Sequence, residues 1–216
     1  MSAAPSLSRI RQSGDPIFWN GAMALAFLLA CLVRLGIPTT PYFDEVHYLP
    51  AARAVLELFQ ATNVEHPPLA KQIMAAGIAL FGDEPFGWRI FSVVAGTLAL
   101  FASMRAMWFA SCSRAASVLT GLFVGTNFVL FIHARIAMLD VFMVAFLMLA
   151  AWMFAGALRE NETARWRLAI AGVALGCAMA SKWNAIPLAM LPGLAFLAAR
   201  WTAGRRRLVM SARGAP

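Results

Sequence analysis

Charge is scarce in this 216-residue chain. Only 13% of residues are charged and ten are acidic, against 61% hydrophobic and a mean hydropathy of +0.71. So little polar surface argues against a soluble domain and fits a polytopic membrane protein. Cysteine is equally sparse: Cys31, Cys112 and Cys177 are odd in number, far apart and mostly inside apolar runs. They indicate neither a disulfide framework nor a cysteine metal site, and read as small core residues. There is no HExxH, no Gly-rich loop to cradle a nucleotide, and no internal repeat. The formal net charge is +8, yet the arginines sit in short clusters between apolar runs rather than on a face interleaved with aromatics. Nucleic acid is therefore not the expected partner. The first apolar run leads into Arg34, Gly36 and Pro38 rather than a small-residue cleavage site, so it should remain as an anchor.

What is present is a set of long apolar runs. Hydrocarbon about 30 Å thick needs roughly 20 residues per helical crossing, which allows about six spans here. Candidates lie near 17–37, 89–109, 115–133, 136–158, 167–181 and 185–200. The last two are short, and both a tilted crossing and a re-entrant pair satisfy their length. The run 69–81 follows Pro67 and Pro68, which favour a helix start, and is too short to span. It should lie at the interface. The expected fold is an all-α polytopic membrane helix bundle of about six transmembrane spans, with an external first loop, 38–88, containing short interfacial helices. A cytoplasmic tail at 1–16 and a basic tail at 201–216 flank the transmembrane domain at 17–200.

Basic residues set the orientation, because short loops rich in Lys and Arg stay on the cytoplasmic side. Arg9 and Arg11, Arg105 and Arg114, Arg159, Arg165 and Arg167, and Arg200 with Arg205–Arg207 all fall inside if the amino terminus is inside. The same arrangement puts the segment 38–88, with six of the ten acidic residues, on the outer face. The turns at His133–Arg135 and Lys182–Asn184 join it there.

FDEVHYLPAAR at 43–53 and EHPPLAK at 65–71 concentrate ionisable groups in that outer segment. Adjacent Asp44 and Glu45 can supply a general base and a hydrogen-bonding or metal-binding partner, although such pairs are also commonly helix caps or simply solvated. Asp140 lies about one turn into an apolar span, where a charge costs about 2.5–3.5 kcal/mol, so it should face a polar cleft or sit in a buried ion pair between helices. Arg135 is five residues earlier, a poor same-face spacing, which calls for a partner from another segment. Lys71, Arg89, Arg135 and Lys182 can neutralise a phosphate. Arg34 and Arg89, at span ends, are equally able to snorkel to headgroups, and Arg105 reads as a cytoplasmic-side anchor. A phosphorylated lipid suits such a place: its head group sits at the interface and its tail needs an apolar groove between helices.

PYFDEVHY at 41–48, EHPPLAK at 65–71, WRIFSV at 88–93, HARIAMLDVF at 133–142 and SKWNAIP at 181–187 together resemble the protein O-mannosyltransferase family. That group of integral membrane glycosyltransferases uses a polyprenyl-phosphate sugar as donor, and its wider circle includes the aminoarabinose transferases that modify lipid A. The resemblance implies that Asp44 stands at the catalytic base with Glu45 beside it, and that Asp140 stands at the second acidic position. It places His66, Pro67, Pro68 and Lys71 in the block whose lysine approaches the donor phosphate. Arg34 and Arg89 would flank the same cavity, Arg135 is the arginine of the ARxxxxD pattern, and Lys182 is the basic residue of the SKW-type segment.

The implied reaction is transfer of a hexose, mannose first, from the lipid phosphate to a protein Ser or Thr hydroxyl on the external side, with inversion. The lipid-linked sugar is a substrate. A divalent cation stays open: Asp44, Glu45, His47, His66 and Asp140 offer ligand atoms, while His47 also fits a capping role. The family usually carries ten or more spans, so a fragment, a truncated product or a half completed by a second polypeptide is also expected. A lipid A or other glycolipid sugar transferase, and a transporter, are the competing classes. Transport fits less well because the unexplained ionisable groups collect on one side.

Overall fold

The computed structural model describes residues 14–59, 62–194, 197, 198 and 201. Most of the expected amino-terminal tail, with Arg9 and Arg11, and the basic stretch at Arg200 and Arg205–Arg207 lie outside the described residues. Among the described residues the chain is entirely helical: α1 Ile17–Leu32, α2 Glu45–Leu56, α3 Leu69–Phe81, α4 Pro85–Ser111, α5 Arg114–Gly125, α6 Phe128–His133, α7 Leu139–Arg159, α8 Ala164–Ser181 and α9 Ala185–Leu194.

Two helices are long and apolar enough to cross a membrane, α4 with 27 residues and α7 with 21. At 1.5 Å per residue they reach about 40 Å and about 32 Å, against hydrocarbon about 30 Å thick. α4 runs along α7, which in turn runs along α8; α1, α3 and α5 pack on the other sides of α4. The buried contact is rich in alanine: Ala95, Ala99 and Ala102 on α4, Ala145 and Ala150 on α7, Ala174 and Ala178 on α8. Small residues of this kind let helix backbones approach in lipid, where apolar burial alone supplies no drive to associate. Gly96 is the limiting case. A Cβ there would stand 2.5 Å from the Ala134 Cβ, so its absence seats the 134–138 corner on α4.

Helix ends follow from local chemistry. Pro85 occupies the first turn of α4, where its missing N–H is not needed, and Cys112 ends the helix in the left-handed region at φ 55°. Gly82, at φ 91°, turns α3 into α4. The expected single span at 115–133 is instead two helices, broken where the Asn127 side chain accepts the Leu130 N–H at 2.9 Å and caps α6. The expected first span stops at Leu32, before Arg34 takes a left-handed φ of 56°.

The charged residues sort into two ends. At one end Arg105 pairs with Asp15 and Arg167 with Glu160, while Arg159 donates to the Phe109 and Ala110 carbonyls at 2.9 and 2.8 Å. Arg114 and Arg165 lie over the rings of Trp19 and Trp166, the arrangement of an interfacial belt. The opposite end carries α2, α3, the 134–138 corner and the α8–α9 turn. Just inside the first end, Asn20, Ser117 and the Met104 carbonyl form a fully buried hydrogen-bonded tie among α1, α5 and α4.

Candidate active site at the α2 end of the bundle

Asp44 and Glu45 are neighbours with opposite surroundings. Glu45 opens α2 and is completely buried, as is Arg89 near the start of α4. Arg89 Nε donates to Glu45 Oε1 and Nη2 to Glu45 Oε2, both at 2.7 Å. Its remaining donors reach the carbonyls of Leu35 at 3.1 Å, Pro38 at 2.8 Å and Thr40 at 3.5 Å. All five guanidinium N–H groups are then engaged. Glu45 also accepts the backbone N–H of Tyr42 and of Ala137, each at 2.8 Å. One ion pair thus ties the 35–42 connector, α2, α4 and the corner that Gly96 admits.

Asp44 is half-buried and pairs with no cation among the described residues. Its backbone is αR and its side chain caps no helical N–H. The Tyr48 hydroxyl, one turn on, donates to Asp44 Oδ2 at 3.3 Å. Tyr48 meets the His66 ring edge-on at a centroid distance of 5.9 Å. In the segment between the spans, burial pushes the Tyr48 phenol well above the usual tyrosine range, and the charges of Asp44 and then Asp140 add to it. Tyr48 thus touches Asp44 and His66, with the Asp140 charge within electrostatic reach.

Asp140, at the start of α7, is held by Lys182 from the α8–α9 turn, whose Nζ lies 2.7 Å from both carboxylate oxygens. The partner does come from another segment, and Arg135 is not it. The pair is partly open, with side chains 16% exposed for Lys182 and 24% for Asp140. Next to Lys182, Trp183 Nε1 donates to the Glu65 carbonyl at 2.8 Å, so the α8–α9 turn grips the 63–66 loop.

Lys71 turns away from this group. It is buried on α3, and its Nζ donates to the Asn63 and His66 carbonyls at 2.6 and 2.8 Å. Burial holds its ammonium below the ordinary lysine range, with Glu65 opposing. Its present work is to pin the loop that presents His66, whose buried Nδ1 has no partner among the described residues. Arg135 is half-buried, lies over Phe131 at 5.2 Å and donates to the Ala30 and Arg34 carbonyls at 3.3 and 3.5 Å. Arg34 is exposed. Neither arginine meets a carboxylate among the described residues, and they adjoin each other at the end of α1.

Among the described residues no three His, Cys, Asp or Glu side chains gather as metal ligands. Tyr48 is the residue that sequence reasoning passed over; its four-residue spacing from Asp44 on one helix was the available signal. The use of backbone groups, such as Ala137 N–H, left no trace in the sequence.

A family model described as dolichyl-phosphate-mannose-protein mannosyltransferase matches residues 65–212, more than half of the chain. The chain belongs to that family. Mannosyltransferases of this family and the apolar helices together make it an integral membrane protein with the helical bundle described above. It is similar to the polyprenol-phosphate-mannose–protein mannosyltransferase of Corynebacterium glutamicum, 32% identical over 68% of this chain and 35% of that protein. Its namesake in Mycolicibacterium smegmatis is 32% identical over 79% of this chain and 40% of its own length. The one in Mycobacterium tuberculosis is 29% identical over 83% and 40%. The chain thus spans well under half the length of these curated relatives. No solved structure matches it.

Proposed function

We propose that this chain carries the catalytic end of a membrane mannosyltransferase that moves mannose from a polyprenyl phosphate to a Ser or Thr hydroxyl of a protein. The observation that carries the reading is the state of its three predicted carboxylates. Glu45 is sealed under Arg89, Asp140 is neutralised by Lys182, and Asp44, half-buried, is the one of the three that meets no cation among the described residues. A carboxylate in that state can take a proton.

In the reaction, Asp44 accepts the proton of the acceptor hydroxyl as its oxygen attacks the anomeric carbon. The bond from that carbon to the phosphate oxygen breaks, its electron pair stays on the phosphate, and the configuration inverts. General-base help of this kind is worth about 10² to 10⁴ in rate. The charge that builds on the leaving phosphate needs fixed cations, and in a poorly hydrated site their effect is often the larger one. Arg34 and Arg135, which meet no carboxylate among the described residues, are the first candidates; Arg89 is saturated, and Lys71 and Lys182 each keep one N–H beyond the two bonds they already make. An apolar groove of about 280 Å³ runs between α1, α4, α5 and α6, and Ala30 and Phe131, which Arg135 touches, belong to its lining. A polyisoprenyl tail there would bring its phosphate to these arginines.

The site end would face outside, with the amino terminus in the cytoplasm of a bacterial inner membrane, so that the lipid delivers an activated sugar where no nucleotide sugar is available. The reading is tested by incubating membranes that contain the chain with radiolabelled polyprenyl-phosphate mannose and a Ser/Thr-rich peptide. Transfer should occur and should fall about 10² to 10⁴-fold in Asp44→Asn. Undiminished transfer in that variant would refute it.

A further inference from the structure

Asp44 stands at the N-cap position of α2, where an aspartate ordinarily turns back to accept a helical N–H. Here it does not: the backbone is αR and no capping bond forms. Among the described residues, the one group that reaches the carboxylate is the Tyr48 hydroxyl, at 3.3 Å on Oδ2. Oδ1 has no partner among the described residues. Tyr48 cannot easily move away, being only 3% exposed. Its ring is wedged against His66 at an interplanar angle of 72°, and Lys71 fixes the backbone of His66 from below. On the other side, Glu45 is immobilised by four hydrogen bonds, so the backbone that carries Asp44 is fixed as well.

Resting on the reading of Asp44 as the base, we propose that Tyr48 is a positioning residue that holds Oδ2 of Asp44 and leaves Oδ1 aimed at the acceptor hydroxyl. The contact is long for an O–H···O bond, the slack that catalytic hydrogen bonds commonly show before substrate arrives. Burial and the two nearby carboxylates keep the phenol protonated, so it remains a donor across the working range. His66 and Lys71 then act one step further back, as the support for the tyrosine ring.

Tyr48→Phe removes the hydroxyl and keeps the ring against His66. A hydrogen bond to a charged group is worth about tenfold to a hundredfold, and its loss should appear in kcat with KM for the lipid donor nearly unchanged. The decisive comparison is the double variant. If Tyr48 works through Asp44, adding Tyr48→Phe to Asp44→Asn costs nothing more. A Tyr48→Phe chain with full activity, or a double variant that loses the same factor again, would overturn the proposal while leaving Asp44 as base intact. Undiminished transfer in Asp44→Asn would instead remove the functional reading and this proposal with it.

A second measurement needs no turnover. The chain has two tyrosines, so Tyr42→Phe protein labelled with 3-fluorotyrosine carries a single ¹⁹F resonance. That resonance should move on Asp44→Asn and hold still on Asp83→Asn. A resonance unmoved by Asp44→Asn would show that the hydroxyl is not held by the carboxylate, and the proposal would fall.

Discussion

Two carboxylate–cation pairs sit a few residues from each other in the fold and do different things. In Glu45–Arg89 both side chains are fully buried, every guanidinium N–H is occupied, and the acid accepts two further backbone N–H groups. In Asp140–Lys182 a single ammonium serves both oxygens, and each side chain keeps part of its surface open. A charge pair with nothing left over fastens the structure, and one with open surface remains available to a substrate. The contrast matters because the sequence reading puts Glu45 beside the catalytic base and Arg89 at the donor phosphate, with nothing to mark them as a sealed pair.

The largest expected effect comes from opening the sealed pair. Arg89→Ala leaves Glu45 buried and uncompensated and should cost about 3–5 kcal/mol of stability, read as a loss of folded protein in detergent unfolding. Arg89→Lys should rescue little, because a point charge cannot replace a planar fork with five donors. A mild phenotype would mean that Glu45 is not sealed as described. Next is Gly96→Ala. The new methyl would force the 134–138 corner off α4 and loosen the Ala137 N–H to Glu45 bond, at a cost of about 1–3 kcal/mol in the same assay. Asp140→Asn should be gentler, about 1–2 kcal/mol for a pair that is mostly buried but keeps an open edge, while still slowing mannosyl transfer. If it instead unfolded the chain, the difference between the two pairs would vanish.

The smallest effect belongs to a third, solvent-facing pair, Arg53–Asp83, in which Trp88 Nε1 also donates to the acid at 2.6 Å. The Arg53 hydrogen bond holds the Asp83 carboxyl below the ordinary aspartate value of 3.8. A depressed acid stabilises the fold above that value and loses its contribution as the pH falls through its folded pKa. Asp83→Asn should therefore cost up to about 0.5 kcal/mol near neutrality, and the gap from the parent chain should close as unfolding is measured at progressively more acidic pH.

Much of the scaffold was readable from patterning. The short helix expected at 69–81 is α3, Leu69–Phe81, because Pro67 and Pro68 start it and Gly82 stops it. The core of α4 and of α7 was visible as apolar length. What failed locally failed for polar reasons: Asn127 split the run at 115–133 by capping α6, and left-handed Arg34 closed α1 early. In the site, the sequence carried the right residue types and the need for an Asp140 partner from another segment. It could not distinguish Arg89 from Arg135, since a guanidinium is saturated or free only through contacts made across more than 40 residues of chain. Tyr48 was hidden by the same logic, its hydroxyl being significant only because Asp44 does not cap.

Two adjacent acids have separate jobs, and that division of labour is open to experiment. Its most direct test is mannosyl transfer per folded molecule for Asp44→Asn and Glu45→Gln, measured in the same membranes with unfolding followed in parallel. The prediction is that Asp44→Asn is folded and nearly inactive, whereas Glu45→Gln is destabilised, and its surviving folded fraction still transfers. A folded, inactive Glu45→Gln beside an active Asp44→Asn would contradict it.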